Sequence, residues 1–543
     1  MYWDAIPLEP FELILGQLKL QDKLACSLVC QHWNRTLFSS PSLVRDIVFA
    51  IGPRWSQDLQ DLVRASTRNY RRLLIVLTDG TWRVKVNELI AEVSQRWTIK
   101  SVSLIGEPVN LLDCFRWNVA MFDALTELSL EFTVESAWTK LSAQDVELKH
   151  LQKLHYLQVY VGTKYERLIV RFFVPNLKEL YIVTDSLANQ DVMYWEDPMI
   201  EIYNCSKLSR LELDLNSTMW VDFFKVERPS MERLVIRRAY DDYDERNWDE
   251  IFQRMSNLRD IEVFFASDAI LASVNRNCMK LERFLMNGFC LHEGSFGNSM
   301  NISSLRSLHV DGLLNGSLYS NMCTLHLTNL QELVWKYVEL VPTQEKLIIV
   351  APALHEITLR ACDYKRFQLV VGNTLTHADI DFTEPQVTTP NFFSSMGNLL
   401  NLSLQVTGPA NQLVPEMFYL SNLRRFELTC STERHAYTID ELFQSICTSC
   451  NLLEVFELRN EHEELLNLSY RSFAELRRLE LLKKLVLHYI NLHSVPDKSC
   501  LMIGKIPHMD FYGSNVSSAS EQQITGLPVT SMVHESSTQR KMT

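Results

Sequence analysis

The strongest constraint on this chain is an apolar pattern, Leu-x-x-Leu-x-Leu, that recurs along most of its length. Its copies mostly follow one another at intervals of roughly 21 to 31 residues, beginning near Tyr70 and ending near Phe511. A single triplet of this kind arises easily by chance, whereas a long run at nearly constant spacing does not. The pattern therefore predicts a stack of similar structural units instead of a domain built around one central core.

A period in this range is typical of leucine-rich repeats, in which each unit forms a short strand followed by a helix or an irregular segment. We expect an α/β fold, a curved solenoid with parallel strands on its concave side and helices or loops on its convex side. The Leu positions of each triplet should point into the core between these layers. About seventeen copies are recognisable, and their middle apolar residues are Leu73, Val102, Leu128, Leu157, Leu180, Leu211, Ile261, Phe284, Leu308, Leu333, Ile357, Ala378, Leu402, Phe426, Phe456, Leu485 and Met509.

The first 46 residues have a different pattern. Pro7 suits the first turn of a helix, and Phe11, Ile14, Leu15 and Leu18 then recur at i, i+3, i+4 and i+7. This spacing places the four residues on one side of a helix and predicts an amphipathic first helix.

A second helix is expected to begin with Asp22 as its N-cap, and a third short helix is expected to start near Pro41. The apolar face of the second helix comprises Leu24, Leu28, Val29 and Trp33. A module of about 40 residues is too small to enclose so many large apolar side chains. Part of this apolar surface must therefore contact either the rest of the chain or a partner protein.

These residues resemble the F-box motif in both order and spacing, over roughly residues 4 to 46. The resemblance rests on the Leu-Pro-x-Glu-like opening at residues 6–9, the Asp-x-Leu at residues 22–24 and the Leu-Val-Cys-x-x-Trp at residues 28–33. One departure is Val44, which follows Leu43 where the family often has Trp.

The resemblance implies binding to a Skp-type adaptor, which links F-box proteins to a cullin and a RING subunit in an SCF ubiquitin ligase. Helices packed into a hydrophobic groove would form this contact. The contact positions implied by the resemblance are Pro7, Leu8, Ile14, Leu15, Leu18, Leu28, Val29 and Trp33.

The overall charge favours protein partners. The formal net charge is -13 and the pI is about 5.6, whereas nucleic acids and anionic membranes both require concentrated positive charge. The N-terminus lacks the pattern of a secretory signal, and no apolar run has the roughly 18 to 20 residues that span a bilayer. We therefore expect an intracellular protein, cytoplasmic or nuclear, without a membrane segment.

The sequence predicts neither an enzyme nor a metal or cofactor site. It contains no glycine-rich phosphate loop, no nucleophile elbow and no zinc-type spacing. Asp379-Ile380-Asp381 resembles a metal-binding motif but lies on a repeat strand, where both carboxylates should face outward. The Cys447 and Cys450 pair is interpreted as packed thiols.

The concave face of the repeats is the expected site of substrate binding. Residues that flank the last Leu of each triplet alternate outward and should line this face. Aromatic and arginine side chains within a polar rim are favoured at protein interfaces. The candidate substrate-binding residues are Tyr160, Tyr181, Glu212, Asp214, Phe264, His309, Arg360, Asp379 and Asp381.

Three segments follow from these patterns, the F-box-like module at 1–46, the repeats at 47–512 and a Ser- and Thr-rich tail at 513–543 that is expected to be disordered. The leading hypothesis is a substrate receptor of an SCF ubiquitin ligase with an unknown protein substrate. One alternative is a repeat scaffold whose F-box-like segment merely caps the solenoid. Another is a secreted receptor ectodomain, against which the N-terminal sequence argues.

Overall fold

The fold is taken from a computed structural model. It describes residues 8–40, 43, 47–52, 57–66, 68–77, 83–133, 144–149, 151–162, 168–185, 199–213, 226–237, 248–264, 268–287, 302–311, 323–336, 347–360, 367–382, 392–407, 413–431, 439–461, 466–493, 506–510 and 512. The tail at 513–543 lies outside the described residues. The chain divides into two compact units, Met1–Phe265 with Arg276–Lys280 and Ala266–Asn275 with Leu281–Thr543.

The first unit begins with three short helices, α1 (Leu8–Gln17), α2 (Leu20–Cys26) and α3 (Gln31–Ser39). Two predicted helix starts were wrong. The second helix begins at Leu20 after Lys19, so Asp22 lies in its first turn and is not its N-cap. The third begins at Gln31 and not near Pro41, which places Trp33 on α3.

A turn at residues 27–30 separates α2 from α3, where one continuous helix was expected. The Ser27 hydroxyl donates to the carbonyl of Leu24 at 2.6 Å, which closes the end of α2. The Cys30 sulfur accepts the backbone N–H of Trp33 at 3.5 Å, which caps the start of α3. Leu28 and Val29 therefore lie in the turn.

Twelve strands of the first unit are described. They are β1 (Val48–Ile51), β2 (Arg72–Leu77), β3 (Ser101–Gly106), β4 (Glu127–Phe132), β5 (Gln144–Leu148), β6 (Tyr156–Gly162), β7 (Leu168–Phe173), β8 (Glu179–Asp185), β9 (Met199–Tyr203), β10 (Arg210–Leu213), β11 (Arg233–Ile236) and β12 (Asp260–Phe264). Its helices between strands are α4 (Gln57–Ala65), α5 (Arg83–Arg96), α6 (Pro108–Trp117), α7 (Val119–Asp123) and α8 (Trp248–Gln253). Helix α9 (Asp268–Asn277) follows β12 in the chain.

The second unit contains the remaining described strands. They are β13 (Arg283–Asn287), β14 (Ser307–Asp311), β15 (Cys323–His326), β16 (Glu332–Lys336), β17 (Leu347–Ala351), β18 (Glu356–Arg360), β19 (Phe367–Val371), β20 (His377–Phe382), β21 (Asn401–Thr407), β22 (Arg425–Ser431), β23 (Val455–Asn460), β24 (Leu466–Ser469), β25 (Lys484–His488), β26 (Ile490–His493) and β27 (His508–Asp510). Its helical segments are α10 (Val414–Met417), α11 (Asp440–Ser449), α12 (Tyr470–Phe473) and two 3-10 turns, Phe392–Ser395 and Ala474–Arg478.

In each unit the main strands pair in parallel and in register with the apolar triplets. The first unit joins β1, β2, β3, β4, β6, β8, β10, β11 and β12, and the second joins β13, β14, β16, β18, β20, β21, β22, β23, β25 and β27. Leu128 pairs with Leu157 and Leu157 with Leu180, and all three are fully buried. The predicted array of parallel repeat strands is confirmed.

Two main strands were missed by the triplet pattern. Strand β1 precedes the first recognised copy, and β11 lies between the copies centred on Leu211 and Ile261. The buried residues of β11 and its turn, Met231, Leu234 and Ile236, have the triplet spacing, but Met at the first position disguised it.

Some segments between main strands are also strands, where only helices or loops were expected. The rows β5–β7–β9, β15–β17–β19 and β24–β26 each pair in parallel. The sequences of β7 and β17, LIVRFF and LIIVA, are runs of β-branched and aromatic residues, which favour strands over helices.

A ladder of polar side chains precedes the main strands, at the position just before the first apolar residue of a triplet. Asn257, Asn329, Asn398 and Asn422 each donate to a backbone carbonyl of the preceding repeat at 2.6–2.9 Å. Ser304 takes the same role through its hydroxyl, at 2.8 Å from the carbonyl of Leu281. The recurring polar position of the repeats therefore lies just before the triplet.

The helical module and the first repeats share one hydrophobic core. Its buried members are Phe11, Leu15, Leu37, Phe38, Leu43 and Ile47. Tyr70, from the segment leading into β2, packs on this core with its ring 5.3 Å from Phe38, and also contacts Phe49 of β1 at 5.0 Å. Arg68 lies over the Phe38 ring at 4.4 Å and donates to the Asn34 side chain at 3.2 Å. The core therefore continues across residue 46.

Candidate interaction sites

The helical module exposes a group of large apolar side chains, which we call the apolar helix face. The exposed fractions are 70% for Leu13, 55% for Ile14, 80% for Leu28 and 61% for Val29. Leu20 and Leu24 of α2 are also exposed. Single exposed leucines are ordinary, but a group of them on one small module is typical of a protein-interaction site.

The structure divides the predicted adaptor contacts into two sets. Ile14, Leu28 and Val29 lie on the apolar helix face. Leu15 is 1% exposed and belongs to the module's own core, against which Leu18 and Trp33 are partly buried. Leu15 of α1, Leu18 just after it and Trp33 of α3 therefore pack toward the core of the module. Pro7 lies outside the described residues, as does the side chain of Leu8.

Helix α2 is inverted in its burial pattern: it buries a lysine and exposes leucines, the reverse of an ordinary surface helix. Lys23 is only 6% exposed, whereas Leu20 and Leu24 are 42% and 38% exposed. A helix that packs only on its own domain should bury its leucines and expose its lysine. Leu13, Leu20 and Leu24 were not among the predicted contacts, which were carried over from the resemblance to the F-box motif.

The open face of the first unit's sheet carries four of the predicted substrate residues, Tyr160, Tyr181, Glu212 and Phe264. Tyr181 pairs in register with Glu212 on the neighbouring strand. Arg237 forms an ion pair with Glu212 and lies 5.8 Å from the centre of the Phe264 ring. Asp214 lies outside the described residues.

The other predicted substrate residues lie on the open face of the second unit. Arg360 forms a salt bridge with Asp379 at 2.6 Å, and His309 lies 3.2 Å from Glu332. Burial raises the pKa of Asp381, and the nearby Arg360 only partly offsets this effect. Asp379 is therefore held by an arginine, which does not fit a metal-binding pair of free carboxylates.

Comparison with known proteins identifies the helical module. A family model described as F-box domain matches residues 3–45, which include the exposed Leu13, Ile14, Leu28 and Val29. The chain carries an F-box domain followed by strands arranged as leucine-rich repeats. The F-box supplies the apolar helix face, and the parallel triplet strands supply the repeats; both are folds that bind proteins and do not themselves catalyse reactions.

Two further comparisons add little to the assignment. No curated protein matches the sequence. Among solved structures, the repeat ectodomain of the Arabidopsis receptor kinase HAESA, in complex with an N-terminally extended IDA peptide hormone, is similar with 11% identity and a TM-score of 0.24. The match covers 78% of this chain and 80% of the ectodomain. A TM-score this low does not establish a shared overall shape.

A buried carboxylate organises the open face near the end of the repeats. Glu457 of β23 has a 2% exposed side chain and is surrounded by Arg459, Arg425 at 3.7 Å and Lys484 at 2.7 Å. Burial alone raises the pKa of Glu457, but hydrogen bonds from Lys484 and Arg459, together with their charges, lower it overall. The carboxylate is therefore ionised at neutral pH and links three neighbouring strands.

Glu457→Gln is expected to lower the unfolding free energy by about 1–3 kcal/mol at pH 7, because charge-assisted hydrogen bonds become neutral ones. A carboxyl group with a lowered pKa stabilises the fold above its unfolded pKa, about 4.3, and loses this effect as the pH falls through the folded-state pKa. The difference between Glu457→Gln and wild type in chemical denaturation should therefore shrink below about pH 4.

Glu454→Gln is the matched control for this measurement. Glu454 contacts Arg424 at 3.2 Å and Lys483 at 2.5 Å, but these ion pairs are exposed and screened by solvent. It should change stability less than Glu457→Gln does. Equal changes for the two variants would show that burial of Glu457 has no special role.

Cys447 and Cys450 are buried free thiols. Burial raises the pKa of Cys447, and raises that of Cys450 to about 12, so both are neutral packed thiols. Within the described ranges, no three His, Cys, Asp or Glu side chains are grouped to hold a metal ion. None of the described helices combines the length and apolarity needed to cross a bilayer.

Proposed function

We propose that this protein is a substrate-recognition subunit of an SCF-type ubiquitin ligase, acting inside the cell. Its F-box binds a Skp-type adaptor, which brings the cullin and RING subunits, and its repeats hold a protein substrate. The observation that carries the proposal is the inverted helix α2, with Lys23 buried and Leu20 and Leu24 exposed beside Leu28. Exposed leucines grouped in this way mark a surface that a partner protein covers.

Such a subunit performs no bond chemistry of its own. Its contribution is to hold a substrate near the enzyme that carries activated ubiquitin, which raises the effective concentration of the two reactants. The two surfaces fit this division of roles. The apolar helix face lies on the F-box, whereas the open faces of the sheets lie on the repeats.

A repeat scaffold whose F-box serves as a cap is the second candidate, and one observation favours it. Phe38 of α3 packs on Tyr70, so the F-box does cover the start of the repeat array. Capping uses α3, the buried side of α1 and the segment leading to β1, however. It leaves the exposed leucines of α1, α2 and the 27–30 turn uncovered, which favours the ligase subunit.

Co-expression of the full chain with a Skp-type adaptor tests the proposal. We expect a stable complex of the two proteins on size-exclusion chromatography, because helices with exposed leucines bind well in hydrophobic grooves. A chain that stays folded by circular dichroism but never forms this complex would favour the scaffold. Deletion of residues 1–46 should abolish binding, but it also removes Phe11, Leu15 and Leu37 from the shared core.

A further inference from the structure

Three tyrosines on the open face of the first unit lie next to glutamates on neighbouring strands. Tyr156 of β6 pairs in register with Glu127 of β4 on one side and with Glu179 of β8 on the other. Tyr160 pairs with Glu131 of β4 and Val183 of β8, and Tyr181 pairs with Gln158 of β6 and Glu212 of β10. Neighbouring strands lie about 4.8 Å apart, so each of these rings is next to a carboxylate. The tyrosine–glutamate patch comprises Glu127, Glu131, Tyr156, Tyr160, Glu179 and Tyr181.

The described strands of this patch, β4, β6 and β8, contain no Lys or Arg. Two arginines reach the patch from β2 and β10. Arg72 reaches Glu127 at 3.6 Å and Arg210 reaches Glu179 at 3.5 Å, and both side chains are exposed. Ion pairs of this length and exposure are weak and exchange readily. The patch therefore keeps a negative charge that a positively charged partner can satisfy.

The tyrosines add aromatic surface to this charge. The rings of Tyr156 and Tyr181 are 5.2 Å apart, and the Tyr181 hydroxyl donates to Glu179 at 3.1 Å. Burial and this hydrogen bond raise the pKa of Tyr181 to about 12, and burial together with Glu179 and Glu127 raises the pKa of Tyr156. Both rings therefore stay neutral at physiological pH.

Arginine and lysine side chains have the chemistry that suits such a surface. Their charged heads pair with carboxylates, while the guanidinium plane or the aliphatic stem lies on an aromatic ring. We propose that the tyrosine–glutamate patch binds an arginine- or lysine-rich segment of the captured protein. This inference rests on the proposed substrate-receptor function and adds to it the charge class of the substrate. An acidic segment meets like charge at Glu127, Glu131 and Glu179.

The test uses the full chain with its adaptor and a fluorescent peptide of alternating Arg and Ser. Fluorescence anisotropy should show binding that weakens as salt is raised, because the charges are near the surface. A peptide of alternating Glu and Ser should not bind. Glu127→Gln with Glu131→Gln and Glu179→Gln should weaken binding of the Arg peptide by about tenfold.

A matched control removes three carboxylates from the open face of the second unit. Asp311→Asn with Glu356→Gln and Glu427→Gln should keep binding of the Arg peptide within about twofold of wild type. If this control weakens binding as much as the patch variant does, binding follows net charge and the proposal is wrong. The proposal is also wrong if the patch variant binds the Arg peptide as tightly as wild type does.

The aromatic contribution is tested at Tyr156. Tyr156→Phe keeps the ring and should bind the Arg peptide as wild type does, whereas Tyr156→Leu should bind a few-fold more weakly. If Tyr156→Phe and Tyr156→Leu bind the Arg peptide equally well, the ring of Tyr156 does not contribute to binding and the aromatic part of the proposal is wrong. Adaptor binding measured on the same samples separates the two ideas. Patch-dependent peptide binding without any adaptor binding would overturn the ligase function alone.

Discussion

Leu333→Asp is expected to unfold the neighbouring repeats, with a loss of at least about 5 kcal/mol in unfolding free energy. Leu333 of β16 is fully buried between Leu308 and Ile357 on the two adjacent strands. Removing its side chain costs about 2–5 kcal/mol, and burying a carboxylate among leucines adds several more. Chemical denaturation followed by circular dichroism measures the loss.

Val334→Asp is the matched control, because it makes the same kind of change one residue further along β16. Val334 lies on the open face between His309 and Thr358. An aspartate there remains in water, so we expect a loss within about 1 kcal/mol, from the lower strand preference of aspartate. Similar losses for Leu333→Asp and Val334→Asp would show that the inward and outward faces have been assigned wrongly.

Ile14→Glu combined with Leu28→Glu is expected to weaken adaptor binding by at least about 100-fold. These residues come from α1 and the 27–30 turn, and both are exposed on the apolar helix face. A charge at either position has to be desolvated when the face is covered, and apolar contact area is lost as well. Calorimetric titration with the purified adaptor measures the change, and the melting temperature should stay as in wild type.

Phe418→Glu is the control for this pair. Phe418 is also a large exposed apolar residue, at 77%, but it lies in the second unit. Its replacement should leave adaptor affinity unchanged. An adaptor that binds the Ile14→Glu and Leu28→Glu double variant as tightly as wild type would mean that the apolar helix face serves another partner.

The main strands could be predicted because the same apolar triplet recurs along most of the chain. The middle residues of the triplets on β14 and β16, Leu308 and Leu333, are paired and fully buried as expected. Strand β11 was missed because Met231 opens its triplet, although it buries its side chain as well as Leu does. The strands β5, β7 and β9 were missed because the triplet says nothing about the segments between its copies.

The F-box was recognisable, but its surface was not fully predictable. A stripe such as Phe11, Ile14, Leu15 and Leu18 shows that one side of a helix is apolar. It does not show which of these residues pack against the rest of the chain and which are exposed. In the structure Phe11 and Leu15 enter the core and Ile14 faces water. That choice depends on Tyr70 and Ile47, which come from beyond the module and fill the space beneath α1 and α3.

The rings of Phe38 and Phe49 both pack on Tyr70 and so join the F-box firmly to the first repeats. This packing limits how far a bound protein can move relative to the F-box. A flexible linker between two binding sites would let the bound protein occupy a volume that depends on the length of the linker. Here the F-box passes directly into the first repeats through packed aromatic rings. In the proposed ligase subunit, a protein bound on the first unit is therefore held at a fixed orientation to the F-box, and the lysines that it presents depend on its bound pose.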